Sequence, residues 1–336
     1  VSLQDEKALR NLQKAVVTKS AINLAALVEQ ANAEPQKYEF DRKFLFKVLV
    51  LGNGQLAQIT GARGPNMQTN AACAGSTQAL AMAQDMISVG RAERMIVIAG
   101  DNASGDALLP WVGNGFRALG ACSISACVED AALPFDVRRN GMLLGAGAIG
   151  MVLETEEAAV RRRCEANLPK EVPVAKARLL ETQISNSAYH GAGMNKEHIA
   201  DEMERFLRVV EAKHGITRAA LAADGIYFSH ETGTHASPSA SCAYNEIYGL
   251  RRCFGDDLLK QLIIINTKGF TGHPMGVSFE DVAAVEVLCR AETPIPPTAN
   301  LQQSDPFLGE LNLSCGGPVN AKYGLRFAAG FGSQVS

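Results

Sequence analysis

Residues 262–276, LIIINTKGFTGHPMG, take an apolar run directly into a polar, glycine-rich loop. The run is made of leucine, isoleucine and one asparagine, so it predicts a buried strand over residues 262–266. Lys268 and His273 follow five positions apart across glycines, and both can therefore turn into one cleft. A lysine at the end of a buried strand is costly unless it is paired or functional. The alternative is an ordinary surface lysine beside a turn histidine.

The same arrangement occurs upstream in residues 226–234, IYFSHETGT. A short apolar strand is predicted over residues 226–228, and His230 follows it in a loop. An imidazole in that position can handle a proton or donate a hydrogen bond. The hydroxyls of Thr232 and Thr234 can bind a polar ligand arm. The alternative is a loop histidine that only caps local backbone.

A cysteine stands between a predicted strand and a predicted helix in residues 64–76, GPNMQTNAACAGS. Helix signal begins directly after Cys73, and free amides with a partial positive charge gather at a helix N-terminus. Both favour the thiolate, so we expect a lowered pKa for Cys73. The same amides can stabilise the oxyanion of a thioester adduct. A small buried core cysteine is the alternative, and this segment alone does not decide between the two.

A fourth loop, Gly330-Phe331-Gly332, follows a strand predicted over residues 323–329. A phenylalanine between glycines can swing and can supply a backbone N–H, although a turn around a buried aromatic ring is the alternative. The four loops together are a stronger signal than any one of them. Each follows a strand, and open α/β sheets bind ligands at the carboxyl ends of their strands.

The remaining segments alternate between helix and strand. Helices are predicted over residues 74–89, 195–213, 242–253 and 281–291, with two more within residues 3–32. Strands are predicted over residues 67–72, 95–100, 145–154 and 173–184, of which 95–100 is expected to be buried, and residues 33–42 predict a loop. This order indicates a layered α/β fold. Residues 1–155 and 156–336 each contain a strand–helix–strand unit, as two halves of a duplicated core would.

Composition excludes several classes of protein. The chain has 336 residues, 47% of them hydrophobic, and a net charge of −3, so nothing indicates binding to nucleic acid or to a membrane surface. No apolar run reaches the length of a membrane span, and the first 14 residues do not read as a signal peptide. The eight cysteines are scattered without a close CxxC pair. They predict reduced thiols in a cytoplasmic protein and no metal site.

These segments together resemble the ketosynthase domain of fatty acid and polyketide synthases, the β-ketoacyl synthases of the thiolase-like superfamily. The resemblance rests on the GPN…ACA segment, on the PFD..R.G segment over residues 134–141, and on HETGT, K….GH..G and GFG. It covers about residues 44–336. It implies a thiolase-like αβαβα layered sandwich of two pseudo-duplicated halves, usually dimeric. It also implies a decarboxylative Claisen condensation between an acyl thioester and malonyl-acyl carrier protein.

The resemblance implies a role for each matching residue. Cys73 would carry the acyl group, His230 and His273 would promote decarboxylation of the malonyl group, and Lys268 would order their site. The amides of Cys73 and Phe331 would form the oxyanion hole. The further residues implied are Gly330 and Gly332 at the gate, Thr232, Thr234 and Ala329 at the substrate, and Glu280 or Glu286 as a buried support. No bound cofactor is implied, because substrates arrive on the 4′-phosphopantetheine of an acyl carrier protein.

Several positions depart from the family pattern. Glu231 replaces a glycine and is expected to place a charge near the pantetheine path. Residues 234–246 and 276–286 are longer than usual, and Ala329 stands where the family has phenylalanine. The family's first strand and helices are not recognisable before Cys73. We therefore expect the start of the fold to be missing or divergent, and the chain to act as a homodimer or as part of a larger synthase.

Two other functions remain open. The segment Gly272-His273-Pro274 resembles a thiolase loop, and Cys315 faintly resembles a second thiolase cysteine, as a CoA-dependent acyltransferase would have. Lys268 and the HETGT and PFD segments argue against that function. A non-catalytic partner subunit, like the chain-length factors that pair with ketosynthases, is the other alternative. Those subunits lack the active cysteine, whereas Cys73 is present here.

Overall fold

The computed structural model describes residues 51–235 and 241–336, together with Arg10. The chain divides into two compact units, Val1–Ala62 and Arg63–Ser336. In the first unit, the described residues form helix α1, Gly52–Thr60. Arg10 apart, the segments predicted as two helices and a loop within residues 3–42 lie outside the described residues.

Helices and strands alternate along the second unit. Its described α-helices are α2 Gly75–Ser88, α3 Asn114–Ala118, α4 Glu156–Glu165, α5 Lys196–His214, α6 Arg218–Asp224, α7 Cys242–Leu259, α8 Lys268–Thr271 and α9 Phe279–Leu288. Its described strands are β1 Arg94–Asn102, β2 Ala146–Glu154, β3 Ser185–Asn186, β4 Gly225–Phe228, β5 Ile263–Ile265, β6 Thr293–Pro297, β7 Asn312–Leu313, β8 Cys315–Val319, β9 Tyr323–Arg326, β10 Ala329–Gly330 and β11 Gln334–Val335.

A parallel sheet of four strands, in the order β7-β5-β4-β9, is the centre of the second unit. Strand β4 pairs with β5 and β9 in parallel, which sets Phe228 between Ile265 and Arg326. All four residues of β4 are buried, as expected for a strand whose sheet is covered on both faces. Parallel pairing brings the carboxyl ends of β4, β5 and β9 to one edge of the sheet.

Hydrophobic clusters cover both faces of this sheet. Tyr227 and Ile264 point to one face, where they pack with Ile247 of α7 and with helix α5. Phe228 points to the other face, where it packs with Val287 of α9. Alternate residues of a strand point to opposite faces, so one short strand contributes to both clusters. The result is a sheet between two helical layers.

Side-chain caps fix where the long helices begin. The Asn195 side chain accepts hydrogen bonds from the amides of Glu197 and His198 at the start of α5. The Ser241 hydroxyl accepts one from the amide of Tyr244 at the start of α7. Such caps satisfy amides that have no partner within the helix. The helices predicted at these places are confirmed. The span of α7 reaches Leu259, but Gly255, with φ of 70° and ψ of 170°, interrupts the helix close to the predicted end at residue 253.

Strands β1 and β2 form a separate antiparallel pair. The strand predicted over residues 95–100 is confirmed, but the prediction that it is buried is wrong. Ile96 and Ile98 are 43% and 42% exposed, and Val152, which lies opposite Ile96, is 59% exposed. Only the other face of the pair is covered, by helix α2 among other elements, and Val97 is buried there. An apolar run identifies a strand but not how many of its faces are covered.

Two strand predictions are wrong. Residues 67–72 form no strand, and the chain turns at Ala72, whose φ of 46° lies in the left-handed region. Residues 173–184 also form no strand, and pairing begins only at β3, which joins β11. A strand needs a partner for its backbone groups, and local sequence does not reveal whether a partner is present.

The division into duplicated halves at residue 155 stays a prediction. Within the described ranges, no helix is both long enough and apolar enough to cross a membrane.

Candidate active site

The predicted site residues lie at the carboxyl edge of the parallel sheet. His230 follows β4, Lys268 follows β5, and the loop of Phe331 comes shortly after β9. His273 is the fourth of these residues. Its amide donates a backbone hydrogen bond of 2.7 Å to the carbonyl of Leu143, which holds it in place. The sheet topology therefore places three separate loops at one edge, as the strand-end pattern predicted.

The two histidines form a buried pair. The ring centroids of His230 and His273 are 5.9 Å apart and the rings are perpendicular. Burial, and after it the positive charge of Lys268, lowers the pKa of His273 to about 3 and the pKa of His230 well below its usual value. Both imidazoles are therefore neutral at physiological pH. The Nδ1 atom of each ring finds no partner among the described residues.

Lys268 is paired with a buried glutamate. Its Nζ lies 2.8 Å from Oε1 of Glu280, and both side chains are almost wholly buried. Burial disfavours the charged carboxylate, but the charges of Lys268 and Arg326 outweigh it and hold the pKa of Glu280 at about 2. The Glu280 carboxylate is thus ionised beside the lysine. Glu286, the other candidate, is instead half exposed and paired with Lys176 on the surface, away from this pocket.

Cys73 is buried in a 3-10 turn, Ala72–Ala74, directly before helix α2. The backbone amides of Phe331 and of Cys73 itself act on the sulfur in the direction that lowers its pKa. Burial nevertheless raises the pKa of Cys73 to about 11, against the lowering effects of the Lys268 charge and of these amides. The expectation of a lowered pKa is therefore wrong. The resting group is a thiol, since desolvation by surrounding segments exceeds the local stabilisation.

The Gly330-Phe331-Gly332 loop packs directly on the cysteine turn. A Cβ on Gly330 would lie 2.4 Å from the carbonyl oxygen of Ala71 and 3.0 Å from the amide nitrogen of Cys73, so only glycine fits. The Phe331 ring is 38% exposed and stands 5.7 Å from the ring of Phe116.

Ala329, predicted at the substrate, is fully buried in β10. The smaller side chain at this position leaves Phe331 as the aromatic residue of the loop.

Both threonines of the HETGT segment contact the start of helix α7. The Thr234 hydroxyl accepts a hydrogen bond from the amide of Cys242, 3.0 Å away. Burial raises the pKa of the Cys242 thiol, and the Thr232 side chain opposes that shift. Both threonines are half-buried. Residues 236–240 of the long segment between them and α7 lie outside the described ranges.

The Glu231 carboxylate does not lie free, in contrast to the charge expected at this position. Its carboxylate is fully buried and stands 3.8 Å from Nε of Arg139, while Arg139 also pairs with Asp305 at 2.8 Å. Burial raises the pKa of Glu231, and the Arg139 charge opposes that shift. The charge predicted near the substrate arm is thus taken into a buried ion cluster. This ion cluster connects the loop of His230 to the PFD segment, residues 134–141.

Sequence reasoning missed Glu246 as a support of the site. This fully buried carboxylate accepts hydrogen bonds from the Tyr227 hydroxyl, from the Ser229 hydroxyl and from the amide of His230. Burial raises its pKa to about 7. The available signal was a glutamate among the inward-facing positions of the predicted helix 242–253.

The chain is similar to known proteins along most of its length. Residues 7–159 match the family model "Beta-ketoacyl synthase, N-terminal domain", so the resemblance begins earlier than residue 44. Over 281 residues the chain is 29% identical to 3-oxoacyl-[acyl-carrier-protein] synthase 2 of Vibrio harveyi, covering 83% of this chain and 62% of that protein. It is 31% identical over 253 residues to nodulation protein E of Rhizobium meliloti, covering 75% of this chain and 55% of that protein.

Solved structures show the same fold. A type II polyketide ketosynthase in complex with its acyl-carrier protein superposes with a TM-score of 0.73, at 22% identity, covering 90% of this chain and 69% of that chain. A β-ketoacyl synthase from Burkholderia phymatum gives a TM-score of 0.68 at 24% identity, covering 84% of this chain and 62% of that chain. The predicted thiolase-like layered sandwich is confirmed.

The solved structures thus show that the chain has a thiolase-like fold. Its sequence is similar to proteins of the β-ketoacyl synthase family over residues 7–159 and along the aligned length of the curated relatives. It spans 62% of the length of the Vibrio harveyi relative.

Proposed function

We propose that the protein is a β-ketoacyl synthase that joins an acyl group held on Cys73 to a malonyl group by decarboxylative Claisen condensation. The observation that carries this proposal is the pair of buried, neutral imidazoles beside a buried lysine whose charge acts on them and on the Cys73 thiol. Neutral imidazoles can donate hydrogen bonds to a developing enolate oxygen, and the lysine adds a fixed positive charge.

Acyl transfer is the first step. The sulfur of Cys73 bonds the carbonyl carbon of the incoming thioester, and the bond from that carbon to the carrier sulfur breaks. Because burial keeps Cys73 as a thiol, its proton must leave during the attack, and a neutral imidazole can accept it and pass it to the departing carrier thiolate. We assign the oxyanion hole to the amides of Cys73 and Phe331, and the support for this is that both lower the pKa of the Cys73 thiol.

Condensation is the second step. The bond between the malonyl α-carbon and its carboxylate breaks, CO₂ leaves, and the electron pair forms an enolate. His230 and His273 donate hydrogen bonds to the enolate oxygen, and Lys268 lowers the energy of the negative charge. The α-carbon then bonds the acyl carbonyl carbon, and the bond from that carbon to Cys73 breaks. The Cys73 thiolate takes up a proton from solvent, which restores the resting thiol. No metal or redox group is required for this balance of atoms and electrons.

The substrate carrier is proposed from the relatives. The Vibrio harveyi protein is named for an acyl-carrier-protein substrate, and the type II polyketide ketosynthase was solved with its acyl-carrier protein. We assign the same partner here, in fatty acid or polyketide synthesis, with Thr232 and Thr234 at the phosphopantetheine arm. A homodimer, or a place within a larger synthase, and a cytoplasmic location belong to the same proposal.

Intact-mass analysis tests the function. The protein is incubated with acyl-carrier thioesters of varied length, with and without malonyl carrier, and the mass of the chain is followed. We expect an acyl adduct on the wild type, its discharge when malonyl carrier is added, and no adduct on Cys73→Ala. Cys253→Ala, which removes another buried thiol, is the control and should retain the adduct. An adduct that persists in Cys73→Ala would contradict the assignment.

Cleavage of acetoacetyl-CoA by free CoA is the corresponding test for the thiolase alternative. Cys315, which resembled a second thiolase cysteine, lies exposed on strand β8 of the β6–β8 pair. We therefore expect no such cleavage.

A further inference from the structure

Lys268 is the first of four buried charged side chains that contact one another in series, with positive and negative charges alternating. Glu280 bonds Lys268 through one carboxylate oxygen and stands 3.5 Å from Nη2 of Arg326 through the other. Arg326 in turn places its Nε 3.2 Å from Oδ1 of Asp281. The Arg326 side chain is 11% exposed, and that of Asp281 is 1% exposed. Two cations and two anions thus balance within one buried unit, in which each charge has an opposite neighbour.

At the far end of this series of charges, Asp281 of helix α9 contacts helix α2, which follows Cys73. Its Oδ2 accepts a hydrogen bond of 2.7 Å from the Ser76 hydroxyl, and its Oδ1 accepts one of 3.0 Å from the Thr77 hydroxyl. Both hydroxyls lie in the first turn of α2, three and four residues after Cys73. The carboxylate therefore holds the same turn whose start presents the reacting sulfur.

The backbone supports this attachment. The Ser76 amide donates to the carbonyl of Gly276, 3.0 Å away, and the Ser278 amide donates to the Ser76 hydroxyl at the same distance. A Cβ on Gly75 would lie 3.2 Å from the carbonyl oxygen of Gly276. The start of α2 and the start of α9 are thus in direct contact, with Asp281 between them.

Arg326 also contacts the segment that carries His230. Its Nη1 donates to the carbonyl of Phe228, 3.1 Å away, at the last residue of β4, and to the carbonyl of Phe327. The Arg326 guanidinium therefore contacts three elements. These are the end of β4 before His230, Glu280, which pairs with Lys268, and Asp281, which binds the start of helix α2. A planar guanidinium with several fixed donors suits such a junction, and an ammonium does not reproduce it.

From this geometry we propose that Arg326 and Asp281 are positioning residues, which hold the Cys73 turn in register with the His230, His273 and Lys268 pocket. The proposal rests on the function proposed above. Neither side chain touches the reacting atoms in this account. They act through Ser76, Thr77 and Glu280.

The test compares three variants with a matched surface pair. Arg326→Gln leaves Asp281 buried without its cation, and Asp281→Asn leaves Arg326 with one anion fewer. The double variant removes both charges together and avoids an unpaired buried ion. The exposed pair Arg252 and Asp201, substituted as Arg252→Gln and Asp201→Asn, is the control.

Reacting groups must lie within a fraction of an ångström of their productive geometry, and a shift of about 1 Å can cost about 100-fold in rate. We expect all three variants to acylate Cys73 at least about tenfold more slowly than wild type, with KM for the acyl carrier unchanged. Stability should fall in the single variants and recover in the double variant, while the rate stays low. The surface pair should change neither quantity.

If acylation recovers together with thermal stability in the double variant, the residues only support the fold and the proposal is overturned. Acylation rates within twofold of wild type in all three variants also overturn it. Alkylation of Cys73 by iodoacetamide, which needs no acyl substrate, separates this proposal from the function. Wild-type protein that is alkylated but never acylated refutes the function, whereas equal alkylation rates in wild type and variants refute the positioning.

Discussion

Substitution of Gly330 by alanine tests the contact between the GFG loop and the nucleophile. The added methyl group would lie 2.4 Å from the carbonyl oxygen of Ala71, 3.0 Å from the amide nitrogen of Cys73 and 3.1 Å from that of Ala74. Non-bonded atoms of this kind normally stand about 3.5 Å apart, so the loop or the cysteine turn must move by about 1 Å. All three neighbours are backbone atoms and cannot rotate away.

In the proposed mechanism, a displacement of this size would move the Phe331 and Cys73 amides away from the oxyanion. We expect the rate of Cys73 acylation to fall about 100-fold. We also expect overpacking to cost about 1–3 kcal/mol of folding stability. Rapid-quench intact-mass measurement gives the acylation rate, and thermal or denaturant unfolding gives the stability.

Gly150→Ala is the matched control, because an added Cβ there meets nothing within 4 Å. It should acylate at the wild-type rate. Acylation of Gly330→Ala at the wild-type rate, in a stably folded protein, would refute the placement of the GFG loop against the nucleophile.

Three other predictions concern the imidazole and lysine pocket. His273→Ala should slow malonyl decarboxylation, measured as CO₂ release, by at least about tenfold, because one enolate donor is lost. Lys268→Met leaves Glu280 buried without this partner and should lower unfolding stability by about 3–5 kcal/mol in denaturant titrations. The pKa of His273 is lowered to about 3 in the folded state, so the unfolded chain binds more protons at mildly acidic pH. Stability should therefore fall as pH decreases from about 6.5 toward about 3, and His273→Gln should flatten that dependence.

Contradictory outcomes differ among the three. Undiminished CO₂ release in His273→Ala would exclude this imidazole from decarboxylation. Unchanged stability in Lys268→Met would show that Glu280 does not need the lysine charge. An identical pH dependence in wild type and His273→Gln would show that His273 is not held neutral by the fold.

The strand-end loops were predictable because a parallel sheet brings the carboxyl ends of its strands to one edge. His230 and Lys268 each follow an apolar run of three or more residues. Each motif alone left an alternative open, and the repetition of the pattern over four loops indicated that these residues share one edge of the sheet. A lysine at the end of a buried strand was expected to be paired or functional, because a buried ammonium is costly alone. Lys268 is buried and pairs with Glu280.

Quantities set by distant segments were not predictable. The pKa of Cys73 depends on how completely other segments exclude water, and burial exceeds the local effect of the amides. The buried carboxylate of Glu231 is paired with Arg139, which lies far earlier in the chain. The link from Arg326 to Asp281 joins β9 to α9 and has no local signature in the sequence.

The central claim is that the Cys73 sulfur and two neutral imidazoles share one pocket, and a crystal structure of the Cys73 acyl-enzyme with a non-decarboxylating malonyl thioester analogue tests it most directly. We expect the acyl carbonyl oxygen to lie about 3 Å from the amides of Cys73 and Phe331, and the analogue's thioester oxygen to lie about 3 Å from a ring nitrogen of His230 and of His273. An acyl group on another cysteine, or an analogue bound away from both rings, would contradict the account.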